Sequence, residues 1–197
     1  MDIIRIYSVR NNLKDGTGMT RILIASDIHG SREYCEKLIN IFRKENVEEM
    51  VVLGDVYYHG VRNALPIGYE PKSVALMLNA IRDRLTVVRG NCDSEVDLMV
   101  SDFPYYDCVK MFVGGKRIYL AHGHKFTSKN RPWIGCDVVI SGHTHVCGIR
   151  EEDGVIFANP GSVSMPKENT PNSYMILTEK GIELKNIDGE VISAITF

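Results

Sequence analysis

Apolar positions along this chain fall into short blocks, and the spacing within each block specifies a different element. Residues 21–25 form a strand-length apolar run, the pattern of a strand buried on both faces. Ser31 then offers a helix N-cap with Glu33 in the first turn, and Leu38, Ile39, Ile41 and Phe42 recur at helical spacing to about residue 44. Residues 50–53 are a second continuous run. Pro71 opens a second helical pattern, carried by Val74, Leu76, Met77, Leu78 and Ile81 to about residue 84, and residues 85–89 are a third strand. Strand, helix, strand, helix, strand is the order of parallel pairing. Between them, residues 56–70 show no period and contain Gly60, Pro66 and Gly68, a long loop of the kind usually kept for function. Residues 94–102 read as a short helix.

After Pro104 the texture becomes all β. Residues 109–113 and 116–121 flank Gly114-Gly115, a hairpin signal. Residues 138–140 are a buried run, residues 146–151 and 155–158 flank Asp153-Gly154, and residues 174–177, 182–186 and 191–196 complete the series. A strand–helix half followed by a strand-rich half predicts two sheets packed face to face with helices outside. Residues 2–7 suit a short strand and residues 11–18 read as turn and linker. Residues 1–18 are therefore expected to be an extension of unassigned role, and residues 19–197 a single domain.

Composition narrows the function. The chain has 197 residues, 44% hydrophobic and 24% charged, with a net charge of −2, which is ordinary for a globular domain and lacks the basic face of a phosphate-backbone binder. No nucleic-acid surface is evident. Cys35, Cys92, Cys108, Cys136 and Cys147 are odd in number with no Cys-x-x-Cys pair, so reduced thiols in a cytoplasm are expected. No apolar run approaches membrane-spanning length, and no signal-peptide pattern stands at the N-terminus.

The chemistry lies at the strand ends. Asp27 with His29, Asp55, Asn91, His122, and His143 with His145 each follow a predicted strand and stand beside a glycine. Asp27 and His29, two apart, are expected on one side because strand side chains alternate. Singly each residue has a plain reading: Asp55 a helix cap, Asn91 a turn residue, His122 a surface imidazole. Jointly they do not, because caps and turns do not require Asp and His at the same end of every strand. They also exceed what one zinc ion takes, and two ions sharing a bridging carboxylate account for the number.

These motifs, Asp27-x-His29, Gly54-Asp55, Gly90-Asn91-Cys92-Asp93, His122-Gly123-His124 and Gly142-His143-Thr144-His145, stand in the order of the calcineurin-like metallophosphoesterases. The chain resembles that superfamily from Met19 onward, and within it the small bacterial phosphodiesterases of the YfcE type. Residues 59–66 and 159–164 share in the resemblance. It implies an α/β fold, a four-layer αββα sandwich of two mixed sheets. It also implies that Asp27, His29 and His145 bind one metal and Asn91, His122 and His143 a second, with Asp55 bridging both. Manganese is the first expectation; iron, zinc, nickel and magnesium also suit this ligand set.

Two such ions supply hydroxide at neutral pH, neutralise phosphate oxygens and hold the reacting atoms in line. The expected reaction is hydrolysis of a small phosphodiester by hydroxide bridging the ions, without a phospho-enzyme. Asn91, Cys92, Asp93 and His122 are the candidate catalytic residues, and His59, Arg62 and His124 the candidate substrate contacts. Cys92 departs from the family pattern, in which many relatives have a histidine that serves the leaving group. A thiol, with a reference pKa near 8.5, fits that role less well. Activity is thus expected on diesters with good leaving groups, such as aryl esters. The rival readings are a protein-binding scaffold of the same fold, a nuclease, a phosphomonoesterase and a Cys92 nucleophile. Filled ligand positions, the short acidic chain, Cys92 and a sufficient metal-supplied nucleophile weigh against them in turn. Self-association into a homo-oligomer is expected.

Overall fold

The computed structural model describes residues 4–8, 20–127 and 129–197. Its strands in chain order are β1 (Ile4–Ser8), β2 (Arg21–Ala25), β3 (Glu49–Val52), β4 (Leu85–Val88), β5 (Tyr105–Tyr106), β6 (Cys108–Val113) and β7 (Lys116–Ala121). They continue as β8 (Val138–Ser141), β9 (Gly148–Glu152), β10 (Val155–Asn159), β11 (Ser173–Thr178), β12 (Gly181–Asn186) and β13 (Val191–Thr196). The helices are α1 (Arg32–Lys44) and α2 (Pro71–Asn79).

The continuous apolar runs of β2, β3 and β4 follow from burial on both sides. Leu23, Ala25, Met50, Val52 and Val87 face Leu38, Ile39 and Phe42 of α1 and Val74 and Leu78 of α2. The alternate residues Ile22, Ile24, Val51, Leu53 and Val88 face Val109, Met111, Leu120 and Ile140 of the other sheet. One sheet runs β13-β12-β11-β2-β3-β4-β5, and β2 to β5 are parallel. The second runs β1-β6-β7-β8-β10-β9, with β7, β8 and β10 parallel. Both are mixed sheets, stacked face to face as the α/β sandwich requires. Since parallel neighbours end on the same side, the turns after β2, β3, β4, β7 and β8 gather along one edge.

Helix α1 begins where expected, with the Ser31 side chain accepting from Tyr34 N–H. Helix α2 stops earlier than its apolar pattern. Asn79 turns its amide outward, donating to the Val100 carbonyl at 2.9 Å and accepting from Asp102 N–H at 2.8 Å, and a 3-10 turn covers Arg82–Arg84. Residues 94–102 contain a 3-10 turn over Glu95–Met99, opened by a Ser94/Asp97 capping box. Strand β5 has no sequence counterpart above, being two residues long. Strand β1 pairs in parallel with β6; the turn expected over residues 11–18 lies outside the described residues. Among the described residues both α-helices cover the first sheet. The outer layer of the second is irregular chain, residues 122–127 and 129–137, where Phe126 and Trp133 pack on Cys108, Tyr119, Ala121 and Val139. No helix of the described residues is long and apolar enough to cross a membrane.

Glu45, at the C-terminus of α1, ties the helix to three strands. It pairs with Arg21 at 2.9 Å and Lys185 at 2.8 Å and accepts from Tyr174 Oη at 3.1 Å. Burial pushes its carboxyl up, but Lys185, Tyr174 and Arg21 outweigh burial and hold it below the usual range. A lowered folded-state pKa gives stability that is present at neutral pH and lost as the pH falls through that pKa. Glu45→Gln should therefore lower unfolding stability by about 1–2 kcal/mol at pH 7. Chemical denaturation of the two proteins should show the difference shrinking toward zero below about pH 4.

Candidate metal centre

The strand ends converge through backbone that most residues avoid. Asp27, His29, Asp55, His143 and His145 all have positive φ, between 49° and 69°. The left-handed region costs about 1–2 kcal/mol for a residue with a Cβ. Strand alternation, the expected reason for Asp27 and His29 sharing a side, is therefore not the cause. The strand ends at Ala25, and two left-handed residues turn both side chains inward. Main-chain bonds between neighbouring turns hold this shape: Asp27 N–H donates to the Gly54 carbonyl at 3.0 Å and His29 N–H to the Asp55 carbonyl at 2.9 Å. Ser162 Oγ donates to the Asp27 carbonyl at 2.7 Å and Ser164 Oγ to the Ile28 carbonyl at 2.8 Å. Glycine is sterically required at Gly90, where a Cβ would overlap Asp55 Oδ1, and at Gly142, where one would overlap Ser26 Oγ.

Three imidazoles are fixed in the same way. Nδ1 lies 2.6 Å from the Tyr58 carbonyl in His29, 2.6 Å from the Leu53 carbonyl in His122 and 2.7 Å from the Met165 carbonyl in His145. A carbonyl only accepts, so each Nδ1 carries a proton, and in the neutral ring that a metal ion requires Nε2 presents a lone pair. Those lone pairs meet other acceptors. His29 Nε2 and His145 Nε2 are 3.2 Å apart, and Asp27 Oδ1 lies 3.6 Å from the first and 3.3 Å from the second. Asp55 Oδ2 is 3.7 Å from His29 Nε2 and 3.5 Å from His122 Nε2, which also faces Asn91 Oδ1 at 3.0 Å. Asp27, His29, Asp55, His122 and His145 are all buried, and Asp27 Oδ1 has no hydrogen-bond partner. Buried acceptors facing acceptors repel unless a cation lies among them. The donors are imidazole nitrogens and carboxylate oxygens with the Cys92 thiol beside them, and the nitrogen–oxygen part suits several first-row divalent ions.

Three overlapping groupings emerge, each within 4.8 Å: Asp27, His29 and His145; His29, Asp55 and Cys92; and Asp27, Asp55 and His122. Asp27 and Asp55 each belong to two of them. Burial raises the Asp27 carboxyl, but His145 and His29 outweigh it and hold the group well below its ordinary range. Burial pulls the His29 imidazole down, and the Asp27 carboxylate more than reverses this. His143 stands further out, its ring centroid 5.1 Å from that of His122, while its N–H donates to Asp27 Oδ2 at 3.1 Å. Asn91 is exposed at the mouth.

The remaining predicted residues divide. Asp93 accepts three main-chain hydrogen bonds. Its Oδ2 accepts from Asp55 N–H at 2.8 Å and Gly90 N–H at 2.7 Å, and its Oδ1 accepts from Val56 N–H at 2.8 Å. It positions the Asp55 turn. Burial pushes the Cys92 thiol up to about 12, with Asp55 and Asp93 adding to it, which disfavours a nucleophilic thiolate. His124 lies inside the cluster, 5.3 Å from His122 and 6.1 Å from His143 between ring centroids, and burial with the neighbouring His122 and Lys125 pulls it down to about 4. His59 sits between the rings of Tyr58 and Tyr69, at 4.8 Å and 5.2 Å. A Cβ on Gly60, the next residue, would lie 3.4 Å from Cys92 Sγ. Arg62 is exposed on the loop. Ser162, Ser164 and Asn159, which donates to the Gly142 carbonyl at 2.9 Å, brace the site although none is among the candidate site residues; their sequence signal is the turn Asn159-Pro160-Gly161-Ser162 and the share of residues 159–164 in the resemblance.

A family model for the calcineurin-like phosphoesterase superfamily domain matches residues 20–181. The chain belongs to that superfamily. Membership makes it a metal-dependent phosphoester hydrolase, with divalent ions as cofactors. Phosphodiesterase YfcE of Escherichia coli K12 is 42% identical over 179 residues, which cover 89% of this chain and 97% of that protein. The probable metallophosphoesterase YsnB of Bacillus subtilis 168 is 30% identical over 165 residues, 80% of this chain and 83% of its own. The solved structure of E. coli YfcE superposes with a TM-score of 0.85 at 37% identity, covering 90% of this chain and 99% of that one. Vacuolar protein sorting 29 of Cryptosporidium parvum shares the phosphoesterase fold at a TM-score of 0.63 and 20% identity, over 91% of this chain and 99% of its own.

The positioning role of Asp93 is separable from metal binding. In chelator-treated protein, Asp93→Ala should cost about 2–3 kcal/mol in unfolding stability, because three buried amides lose their acceptor. Asn91→Ala, at the exposed mouth, should change it by less than about 0.5 kcal/mol.

Proposed function

We propose that this protein is a dinuclear-metal phosphodiesterase that hydrolyses small diesters by in-line displacement, with a preference for good leaving groups. The observation that carries the reading is the buried set of acceptors, three of them imidazole nitrogens fixed as lone pairs by main-chain carbonyls. The 42% identity to a protein named a phosphodiesterase supports the diester assignment.

Asp27, His29 and His145 would hold one ion, and Asn91, His122 and His143 the other, with Asp55 reaching both. Divalent ions bound there, manganese before iron, zinc, nickel or magnesium, supply a nucleophile at neutral pH and neutralise the phosphoryl oxygens. The chain's own residues do the rest. The carbonyls of Tyr58, Leu53 and Met165 keep each imidazole proton on Nδ1, so that Nε2 stays free for its ligand. Asn91, exposed at the mouth, presents an amide to an incoming phosphate oxygen. Cys92 lies beside it, with Asn91 Nδ2 3.3 Å from Sγ. A protonated thiol is a poor proton donor to an alkoxide, so the leaving group departs with little help.

This predicts a steep dependence on the leaving group. The purified protein, assayed with manganese on matched aryl and alkyl phosphodiesters, should favour the aryl ester by about 100-fold or more, the range that general acid catalysis supplies. Cys92→His should narrow that ratio by restoring an imidazole beside Asn91. Equal turnover of the two esters by the unmutated protein would sink the assignment of Cys92, and no diester hydrolysis with any divalent ion would sink the function.

A further inference from the structure

Because an irregular segment rather than a helix covers the second sheet, a cavity of about 330 Å³ remains between that sheet and the segment. It opens beside His122 and His124 and is lined by Lys110, Tyr119, Lys125, Phe126 and Asn130. Its volume lies at the lower end of the range for small-molecule sites. We propose that this cavity is the subsite for one ester arm of the diester, and that it selects a flat arm carrying an anionic group at its far end. The proposal rests on the phosphodiesterase reading above.

Position argues for an ester arm. His122 is both a candidate ligand and part of the cavity wall, so a phosphate held at the metal centre has one substituent at the cavity mouth. His124 stands at the same mouth, and its Nδ1 is buried without a hydrogen-bond partner. A polar atom on the arm would satisfy it.

Shape argues for a ring. Tyr119 and Phe126 line the cavity with centroids 6.3 Å apart and planes tilted by 41°. Phe126 is held in turn by Trp133 at 4.7 Å, and Trp133 by Phe157 at 5.8 Å. The half-buried Phe126 ring, backed by Tyr119 and Trp133, offers a rigid face on which a flat group stacks with little loss of side-chain freedom.

Charge argues for an anion. The ionised side chains of the wall are Lys110, Lys125 and Asp107, two cations against one carboxylate. Lys125 Nζ approaches Asp107 Oδ1 only to 3.9 Å. Lys110 Nζ stands 5.9 Å from the Tyr119 ring centroid. Lys110 is opposite Tyr119 in the β6–β7 register. Tyr119 precedes His122 by three positions, so the Lys110 backbone stands about 10 Å along the strand from that of His122. That separation matches an aryl arm with a terminal carboxylate.

The test uses two probes on manganese-loaded protein, O-methyl benzylphosphonate and its para-carboxy derivative, whose arm cannot be cleaved at its carbon–phosphorus bond. Calorimetry should show the carboxylated probe binding about tenfold tighter. Lys110→Gln with Lys125→Gln should abolish that preference and leave the plain probe unchanged, and Lys110→Glu should invert it. Phe126→Ala should weaken both probes. Equal binding of the two probes by the unmutated protein, failure of both to bind, or a preference surviving in the double variant would overturn the proposal. Hydrolysis of a bis-aryl phosphodiester, measured on the same preparations, separates this failure from failure of the phosphodiesterase reading.

Discussion

Three histidine side chains are each held through Nδ1 by a main-chain carbonyl, and that constraint decides what the core of this protein is able to do. It leaves Nε2 of His29 and of His145 facing each other and Asp27, and Nε2 of His122 facing Asp55, all within the buried centre. Apolar packing alone would never gather acceptors in this way, because each has lost water and gained a repelling neighbour. A cation resolves the conflict. The metal requirement is thus contained in the arrangement of hydrogen bonds as much as in the identity of the ligands.

The fold makes the arrangement possible by ending its parallel strands together. Strands β2, β3 and β4, apolar on both faces, are sandwiched between helices and the second sheet, and that rigid slab holds the turns beyond it. The left-handed residues in those turns are strained, and the strain is offset by bonds between turns that are far apart in sequence. Asp93 fastens the Asp55 turn to Gly90, and Ser162 and Ser164 fasten the Asp27 turn to the segment before β11. Such strain, concentrated in five candidate ligands, is typical of sites preorganised for chemistry.

Much of this was legible in the order of residues. The continuous apolar runs announced central strands, the glycine-flanked Asp and His announced a metal site, and both lay where the runs ended. What was not legible has a physical reason. A main-chain carbonyl has no sequence signature, so nothing marked Tyr58, Leu53 or Met165 as partners of histidines. Positive φ at Asp27 and His29 was hidden because neither residue is glycine. Asp93 stands among the candidate catalytic residues by position, and only the structure shows the three amides that converge on it. The cover of the second sheet was equally hidden. Phe126 and Trp133 have no helical or strand period, yet they stand where a second helical layer was expected.

The central claim is that two ions share the Asp55 carboxylate. Electron paramagnetic resonance of the manganese-loaded protein addresses it most directly, because two ions bridged by one carboxylate are magnetically coupled. The account predicts the multiline signal of a coupled pair, converted by Asp55→Asn to the simple hyperfine pattern of an isolated ion. The simple pattern at every manganese loading of the unmutated protein would contradict it.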